Sequence, residues 1–243
     1  MSGVNELAGK YAVVTGGSGG IGSAIVRSLQ NAGAVATSLD LSPPPGNDIP
    51  WLHCDVRSDD SVGSAVQQFF KQNGRIDLVI HAAGISREAV VWKLTVEDWD
   101  KVQAVNLRGA FLLLRHAIPL MRQGQGGRVV LIGSINGSRG KFGTSAYSAS
   151  KAGLIGLAKS VARETGRFGI LVNVIEPGWV RTPLTEALPV AIRQAAEAET
   201  LLGSLLEVSD VAAAVLFLCG PGASRITGQI LRVDAGQFLG GGA

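Results

Sequence analysis

The chain has few of the features that build membrane spans, disulfide scaffolds or metal sites. Its longest unbroken apolar run, residues 211–219, is about half the roughly 18 residues that a membrane span requires. Its 2 cysteines, Cys54 and Cys219, are far apart and form neither a CxxC motif nor a Cys/His ligand spacing. The sequence therefore predicts no membrane segment, no disulfide and no bound metal.

Charge is also sparse. Charged residues make up 17% of the chain, and 22 lysines and arginines against 19 acidic residues leave a net charge of +3. The basic residues are scattered singly rather than gathered in a run or stripe, so nucleic acid is not an expected partner. Residues 1–10 lack the basic start, apolar stretch and cleavage site of a signal peptide, and we expect a cytoplasmic protein.

The chain does contain enough apolar sequence for one large core. Of its 243 residues, 46% are hydrophobic, and a chain of this length buries roughly 70–75% of its surface on folding. Strand-length apolar stretches alternate with longer segments of helical period, which predicts a parallel sheet covered by helices on both faces. We expect a single α/β domain over residues 1–243.

The predicted strands each end close to a glycine, aspartate, serine or proline; they lie near residues 11–15, 35–39, 51–54, 76–82, 128–133, 170–175 and 229–233. Helices are predicted near residues 20–32, 59–73, 96–121, 146–165 and 208–219. A less regular helical stretch spans residues 182–202, and we expect residues 183–202 to form a movable, apolar lid over a substrate. An ordinary amphipathic surface helix packed on the core explains the same pattern equally well.

A glycine-rich turn, TGGSGGIG, follows the first predicted strand and opens the first predicted helix. Gly17, Gly19 and Gly22 satisfy the spacing GxGxxG, while Gly16, Gly20 and Gly22 satisfy TGxxxGxG. In either register the turn lets backbone amides approach a pyrophosphate at a helix N-terminus, where a side chain would block the approach. The alternative is a tight strand-to-helix turn in a glycine-rich protein.

Asp40 ends the second predicted strand, 18 residues after Gly22. In dinucleotide-binding folds an acid at this place bonds the adenosine ribose hydroxyls, which favours NAD. A 2′-phosphate beside Asp40 would meet a repulsion of a few kcal/mol at an effective dielectric of about 20–40, and residues 16–22 contain no Arg or Lys to offset it. NADP is therefore disfavoured. Alternatively, Asp40 is a solvated acid that opens the proline turn after it.

Tyr147 and Lys151 are spaced i, i+4, so on a helix both side chains project from one face. An ammonium within about 4–5 Å of the phenol oxygen would favour the phenolate by roughly 3–4 kcal/mol, so we expect a Tyr147 pKa lowered towards neutrality. Such a phenol can exchange a proton with a carbonyl or alcohol oxygen. Ser134, after the fifth predicted strand, would face the same crevice and bond the substrate oxygen.

In combination these motifs resemble the short-chain dehydrogenase/reductase family, and the resemblance covers nearly the whole chain. It implies a Rossmann-type, doubly wound sheet of seven parallel strands, with a cofactor half over residues 1–130 and a catalytic and substrate half over residues 131–243. It also implies hydride transfer to or from a nicotinamide dinucleotide, and a homo-oligomer, either a homotetramer or a dimer.

The resemblance assigns roles to individual residues. The expected catalytic residues are Asn106, Ser134, Tyr147 and Lys151; the asparagine would hold a water that links the lysine to solvent, and the lysine would also bond the nicotinamide ribose. The expected cofactor contacts are Tyr147 and Lys151 together with Gly16, Ser18, Gly19, Gly20, Ile21, Gly22, Asp40, Asp55, Val56, Ala82, Ala83, Gly84, Pro177, Gly178, Val180 and Thr182.

One departure from the family pattern lies after the fourth predicted strand. Where the family has Asn-Asn-Ala-Gly, this chain has His81-Ala82-Ala83-Gly84. The first asparagine of the family pattern stabilises the sheet, so the departure concerns local geometry rather than chemistry. A lone histidine without a placed partner is expected to be structural.

The segments around Trp92 and Asp234 resemble the 3-oxoacyl thioester reductases of the family. Aligned from Ser134 and Tyr147, Gln125 and Phe168 stand where carrier-protein reductases bear basic residues, with Arg128 and Arg167 nearby. We therefore expect an NAD(H)-dependent oxidoreductase acting on a secondary alcohol or ketone, with a 3-hydroxyacyl or 3-oxoacyl thioester as one candidate. The alternatives are a catalytically silent dinucleotide-binding subunit or redox sensor, and a carrier-protein 3-oxoacyl reductase.

Overall fold

The computed structural model describes residues 6–46 and 48–240, so the expectation of no signal peptide in residues 1–10 falls partly outside them. Seven parallel strands form one sheet in the order β3-β2-β1-β4-β5-β6-β7. The predicted doubly wound sheet is confirmed. The strands are β1 Tyr11–Thr15, β2 Val35–Asp40, β3 Trp51–His53, β4 Leu78–His81, β5 Gly127–Ile132, β6 Ile170–Pro177 and β7 Ile230–Val233.

The helices agree with most of the predicted bounds. They are α1 Gly20–Asn31, α2 Asp59–Asn73, α3 Val96–Gln103, α4 Gly109–Met121, α5 Ile135–Arg139, α6 Ser145–Thr165, α7 Pro183–Glu186, α8 Val190–Ala198 and α9 Val208–Cys219. The long helix predicted over residues 96–121 contains a π-helical turn, Ala104–Arg108, between α3 and α4. The short helix α5 was not predicted.

The two faces of the sheet carry separate apolar cores. Neighbouring residues of a strand point to opposite faces, so Val13 packs in the core that α2, α4 and α6 cover, whereas Val14 packs in the core that α1 and α9 cover. Most strand residues in the central strands are fully buried. This explains why the strands read as continuous apolar runs rather than as alternating patterns.

The order of the strands reverses between β1 and β4, which are direct neighbours in the sheet. In an open α/β sheet, the crevice outside the carboxyl ends of the strands at this switch point is the place where ligands bind. Thr15 ends β1 and His81 ends β4, and the two residues pair in the ladder. Across the described part of the chain, every helix is too short or too polar to span a bilayer.

Candidate active site

The glycine turn leaves no space for a side chain at Gly16, Gly17 or Gly22. A Cβ at Gly16, whose φ is +69°, would lie 2.6 Å from the backbone nitrogen of Ala83, and one at Gly17 would lie 2.7 Å from the Ser38 hydroxyl. A Cβ at Gly22 would overlap the carbonyl oxygen of Gly16. At Gly16 and Gly22 the turn therefore packs backbone against backbone, and Gly16 lies directly against Ala83.

The start of α1 offers free backbone amides. Gly19 is the N-cap residue and provides no side-chain cap, and the first turn, which includes Gly20 and Ile21, contains no acidic residue. A helix start without a capping side chain leaves N–H groups that suit a pyrophosphate. Together with the glycines at which a Cβ would clash, these N–H groups form a cradle over residues 16–22. This cradle fits a dinucleotide.

Asp40 holds the edge of this cradle. One carboxylate oxygen accepts a hydrogen bond from the backbone N–H of Ser18 at 3.1 Å, and the other accepts one from Leu41 at 2.7 Å. The Ser18 hydroxyl donates to the carbonyl of Ser42 at 2.8 Å, which fastens the glycine turn to the segment after β2. Because each carboxylate oxygen can accept a second hydrogen bond, Asp40 retains capacity for ribose hydroxyls.

Asp55 and Val56 lie beside the carboxyl end of β2. The backbone N–H of the preceding Cys54 donates to the Asp40 carbonyl at 2.8 Å. The Asp55 carboxylate pairs with Arg57 at 2.7 Å, and this hydrogen bond holds the pKa of Asp55 below its usual value. Val56 is buried against the start of α4, where a Cβ at Gly109 would lie 3.1 Å from the Val56 Cβ.

The loop after β6 contacts the same cradle through Thr182. A Cβ at Gly20 would lie 3.2 Å from the Thr182 methyl group, so the two halves of the chain meet at the start of α1. The Thr182 hydroxyl accepts from the Thr185 N–H and caps α7. Pro177 ends β6, Gly178 follows it, and Val180 is buried and paired with the Leu206 segment.

His81 is fully buried and joins β1 to the π-helical turn. Its Nε2 lies 3.2 Å from the backbone carbonyl of Asn106, which can only accept, so Nε2 carries the proton. The Nδ1 atom then accepts from the Thr15 hydroxyl at 2.9 Å. Burial, with a contribution from the charge of Lys151, lowers the pKa of His81 to about 3. The histidine is therefore neutral, with both ring nitrogens bonded within the protein.

Asn106 lies in the π-helical turn and is fully buried. Its Oδ1 accepts from the Ile85 N–H at 2.8 Å, while its Nδ2 donates to the Ile85 carbonyl at 3.0 Å and to the Ser150 hydroxyl at 2.9 Å. The side chain thus ties the segment after β4 to α6. Gly84 lies between these elements, because a Cβ there would be 3.6 Å from Asn106 Oδ1 and 3.4 Å from Lys151 Nζ.

Tyr147 and Lys151 both lie in α6, one turn apart, as predicted. The Lys151 ammonium is 5.5 Å from the centre of the Tyr147 ring and donates a hydrogen bond of 2.7 Å to the carbonyl of Ile132 at the end of β5. Lys151 is only 4% exposed. Burial lowers its pKa from 10.5 to about 8.

The expectation of a Tyr147 pKa near neutrality is wrong for this structure. Burial of the phenol disfavours the phenolate and raises the pKa of Tyr147, while the neighbouring Ser134 hydroxyl acts in the opposite direction with a smaller effect.

Ser134 is the N-cap of α5, and its hydroxyl accepts from the Asn136 N–H at 3.2 Å. It is buried and close enough to Tyr147 to affect the pKa of the phenol. The structure therefore brings Ser134, Tyr147 and Lys151 together at the carboxyl end of β5. Within the described ranges, no group of three or more His, Cys, Asp or Glu side chains is arranged to hold a metal ion.

Comparison with known proteins identifies the family. The family model described as enoyl-(acyl carrier protein) reductase matches residues 16–237. The chain belongs to the short-chain dehydrogenase/reductase family. This confirms the family resemblance and the expectation of an oxidoreductase.

Relatives of this family member cover nearly its whole length. It is 34% identical to the 3-oxoacyl-(acyl-carrier-protein) reductase FabG of Thermotoga maritima, over 96% of this chain and 100% of the relative. It is 38% identical to the acetoacetyl-CoA reductase of Synechocystis, over 94% and 96%. The ligand-free aldohexose dehydrogenase of Thermoplasma acidophilum superposes with a TM-score of 0.93 at 30% identity, over 98% of this chain and 97% of that one.

Three polar residues near this site were not predicted from the sequence: Arg139, Glu199 and Gln237. Arg139 ends α5 and pairs with Glu199 at 3.0 Å, just after α8. Gln237 lies beyond β7 and bonds both Glu199 and the segment after Gly178. No spacing or motif in the sequence distinguishes these residues from ordinary surface polar residues.

Proposed function

We propose that this short-chain dehydrogenase/reductase transfers a hydride between NAD(H) and a secondary alcohol or ketone, with a 3-hydroxyacyl or 3-oxoacyl thioester as the first substrate to test. The observation that carries the proposal is the convergence of Ser134, Tyr147 and Lys151 at the carboxyl end of β5, beside Gly84 and the dinucleotide cradle. The names of the relatives in Thermotoga and Synechocystis both denote reduction of a 3-oxoacyl thioester.

The residues of this site supply the proton chemistry. A bound nicotinamide dinucleotide would supply or accept the hydride. In the reducing direction the Tyr147 hydroxyl donates its proton to the substrate oxygen, and in the oxidising direction the phenolate accepts a proton from the alcohol. The Ser134 hydroxyl bonds the same oxygen and orients the substrate. Burial keeps Tyr147 protonated near pH 7, which suits the reducing direction.

The cofactor preference for NAD rests on Asp40. Its carboxylate is held in place by the N–H groups of Ser18 and Leu41, directly beside the glycine turn. A 2′-phosphate at this edge would be repelled, whereas ribose hydroxyls would find an acceptor. Gly16, Ser18, Gly19, Gly20, Ile21 and Gly22 would hold the pyrophosphate, and Pro177, Gly178, Val180 and Thr182 would border the nicotinamide.

Carrier-linked substrates are a narrower possibility. Phe168, where carrier-protein reductases bear a basic residue, lies between two guanidinium groups: Arg122 at 4.2 Å and Arg167 at 4.7 Å from the ring centre. Positive charge is therefore retained around this position. A carrier-protein reductase would prefer carrier-linked over free thioester substrate. This preference distinguishes the carrier-protein hypothesis from the main proposal.

We infer a cofactor half over residues 1–130, a catalytic and substrate half over residues 131–243 and a lid over residues 183–202, in a cytoplasmic homotetramer or dimer. Exposed apolar side chains on α4 and α9, such as Phe111 and Phe217, support self-association. Size-exclusion chromatography with light scattering gives the number of subunits.

A substrate panel with both cofactors tests the proposed function. Purified enzyme is assayed with secondary alcohols, ketones, free 3-oxoacyl and 3-hydroxyacyl thioesters and their carrier-linked forms, each with NAD(H) and NADP(H). The proposal predicts turnover with a higher kcat/KM for NAD(H) than for NADP(H). A protein that binds NADH but converts none of these compounds would instead be a silent dinucleotide-binding subunit.

A further inference from the structure

Gln237 lies at the meeting point of three segments that surround the candidate active site. Its side chain is 1% exposed. The side-chain oxygen accepts from the backbone N–H of Trp179 at 2.8 Å, and the side-chain nitrogen donates to the Glu199 carboxylate at 3.0 Å. Its backbone carbonyl accepts from the Arg139 guanidinium at 3.0 Å. One residue therefore contacts three segments that are far apart in sequence.

Each of these segments leads to a different part of the site. Trp179 directly follows Pro177 and Gly178 at the end of β6. Glu199 is the C-cap of α8, the longer helix of the lid. Arg139 is the last residue of α5, whose N-cap is Ser134. Gln237 thus connects the loop beside the cofactor cradle, the end of the lid and the helix that carries Ser134.

The neighbouring contacts hold the same end of the lid. The backbone N–H groups of Leu201 and Leu202 both donate to the Ala235 carbonyl, at 2.9 and 3.2 Å. Ala235 has a φ of +52°, and it is the one non-glycine residue with a positive φ among those that the structure describes. Although burial raises the pKa of Glu199, hydrogen bonds from Arg139 and Gln237 hold it below the usual value, so the carboxylate is charged at neutral pH.

The chemistry of the position requires an amide. The Trp179 N–H needs an acceptor and the Glu199 carboxylate needs a donor, and a glutamine side chain supplies one of each at the necessary length. A glutamate would present a second carboxylate to Glu199, and a leucine would leave the Trp179 N–H without this acceptor and Glu199 with Arg139 as its remaining side-chain donor.

We propose that Gln237 is a positioning residue that fixes the lid in register with the loop after β6 and with the Ser134 helix, and thereby sets the affinity for substrate. The inference rests on the proposed function for its kinetic consequence. Its structural consequence, a fixed C-terminal end of the lid, is independent of what the substrate is.

The test compares Gln237→Glu with a reciprocal double variant. Gln237→Glu retains the acceptor for Trp179 but removes the donor to Glu199, so we expect about a tenfold higher KM for substrate, less than a twofold change in the NADH Kd, and faster proteolysis within residues 183–198. The double variant Glu199→Gln/Gln237→Glu restores a donor–acceptor pair with unchanged net charge, and we expect KM within about threefold of wild type.

Two further variants complete the experiment. Glu199→Ala alone, at a position less buried than Gln237, removes the acceptor of the Gln237 side-chain nitrogen without altering the buried residue, and we expect a rise in KM and in proteolysis. Gln229→Glu is the matched control, because Gln229 donates to the Thr227 carbonyl in an exposed bond, and we expect wild-type behaviour.

The proposal is overturned if Gln237→Glu leaves KM and lid proteolysis at wild-type values, or if the double variant is as impaired as Gln237→Glu. If the wild-type enzyme converts no substrate in the panel, the proposed function fails. Proteolysis of the lid in the same variants then decides the role of Gln237 by itself.

Discussion

The ammonium of Lys151 donates a hydrogen bond to the carbonyl of Ile132 at 2.7 Å, so α6 is tied to the end of β5 at the candidate active site. The ammonium is nearly inaccessible to solvent, and burial lowers its pKa to about 8 from the ordinary 10.5. The folded state therefore releases the lysine proton at a lower pH than the unfolded chain does, which links the stability of the protein to pH.

We predict a pH-dependent contribution of Lys151 to stability. Between pH 8 and 10.5 the unfolded chain binds more protons at this residue than the folded chain, so its contribution to the free energy of unfolding rises with pH across that window. Below pH 8 the full cost of burying the charge is present, about 3 kcal/mol for this shift. Lys151→Met removes this dependence.

Urea unfolding of wild type and Lys151→Met at pH 7, 8, 9 and 10 measures this contribution. As the pH rises, the free energy of unfolding of the wild type should increase relative to that of Lys151→Met. A difference that stays constant over the range would show that Lys151 has an ordinary pKa in the folded protein.

Asp40 is predicted to select the cofactor. Asp40→Asn removes the charge but retains an acceptor for the backbone N–H groups of Ser18 or Leu41. Removing a repulsion of about 2 kcal/mol at roughly 5 Å and an effective dielectric near 30 should raise kcat/KM for NADP(H), relative to NAD(H), by about 30-fold. Asp60→Asn, at an exposed position in α2, is the control. An unchanged ratio in Asp40→Asn would mean that another residue selects the cofactor.

His81 is predicted to be important for stability. His81→Phe preserves the approximate shape but leaves the Thr15 hydroxyl and the Asn106 carbonyl, both buried, without their partner. At about 1–3 kcal/mol for each unsatisfied group, the free energy of unfolding should fall by roughly 2–6 kcal/mol. His116→Phe removes a histidine from a partly exposed pair with Asp59 and should cost less than about 1 kcal/mol. Equal losses in denaturant titrations would contradict the proposed role of His81.

The sequence predicted the strands and the longer helices because their apolar patterns are long and their ends are marked by glycine, proline or capping residues. β1 and α2 begin and end at the predicted residues. The sequence did not predict α5, because INGSR is too short to show a helical period. Nor did it predict the π-helical turn Ala104–Arg108, because a local change of hydrogen-bond register leaves the apolar pattern of a long helix almost unaltered.

The sequence predicted those parts of the candidate site that belong to recognisable motifs. The i, i+4 spacing placed Tyr147 and Lys151 on one face of α6, and the structure agrees. The predicted pKa of Tyr147 was wrong because burial of the phenol raises the pKa, and the i, i+4 spacing does not reveal how deeply the phenol is buried. Gln237 is found only when the folded chain brings residues 139, 179 and 199 to it.

The most direct test of the central claim is Tyr147→Phe, assayed for turnover and for NADH binding by fluorescence titration. The substitution removes only the hydroxyl that exchanges a proton with the substrate. We predict that kcat falls by at least about a thousandfold, as expected for loss of a general acid, while the NADH Kd changes less than threefold. Near-normal turnover in Tyr147→Phe, with any substrate that the wild type converts, would contradict it.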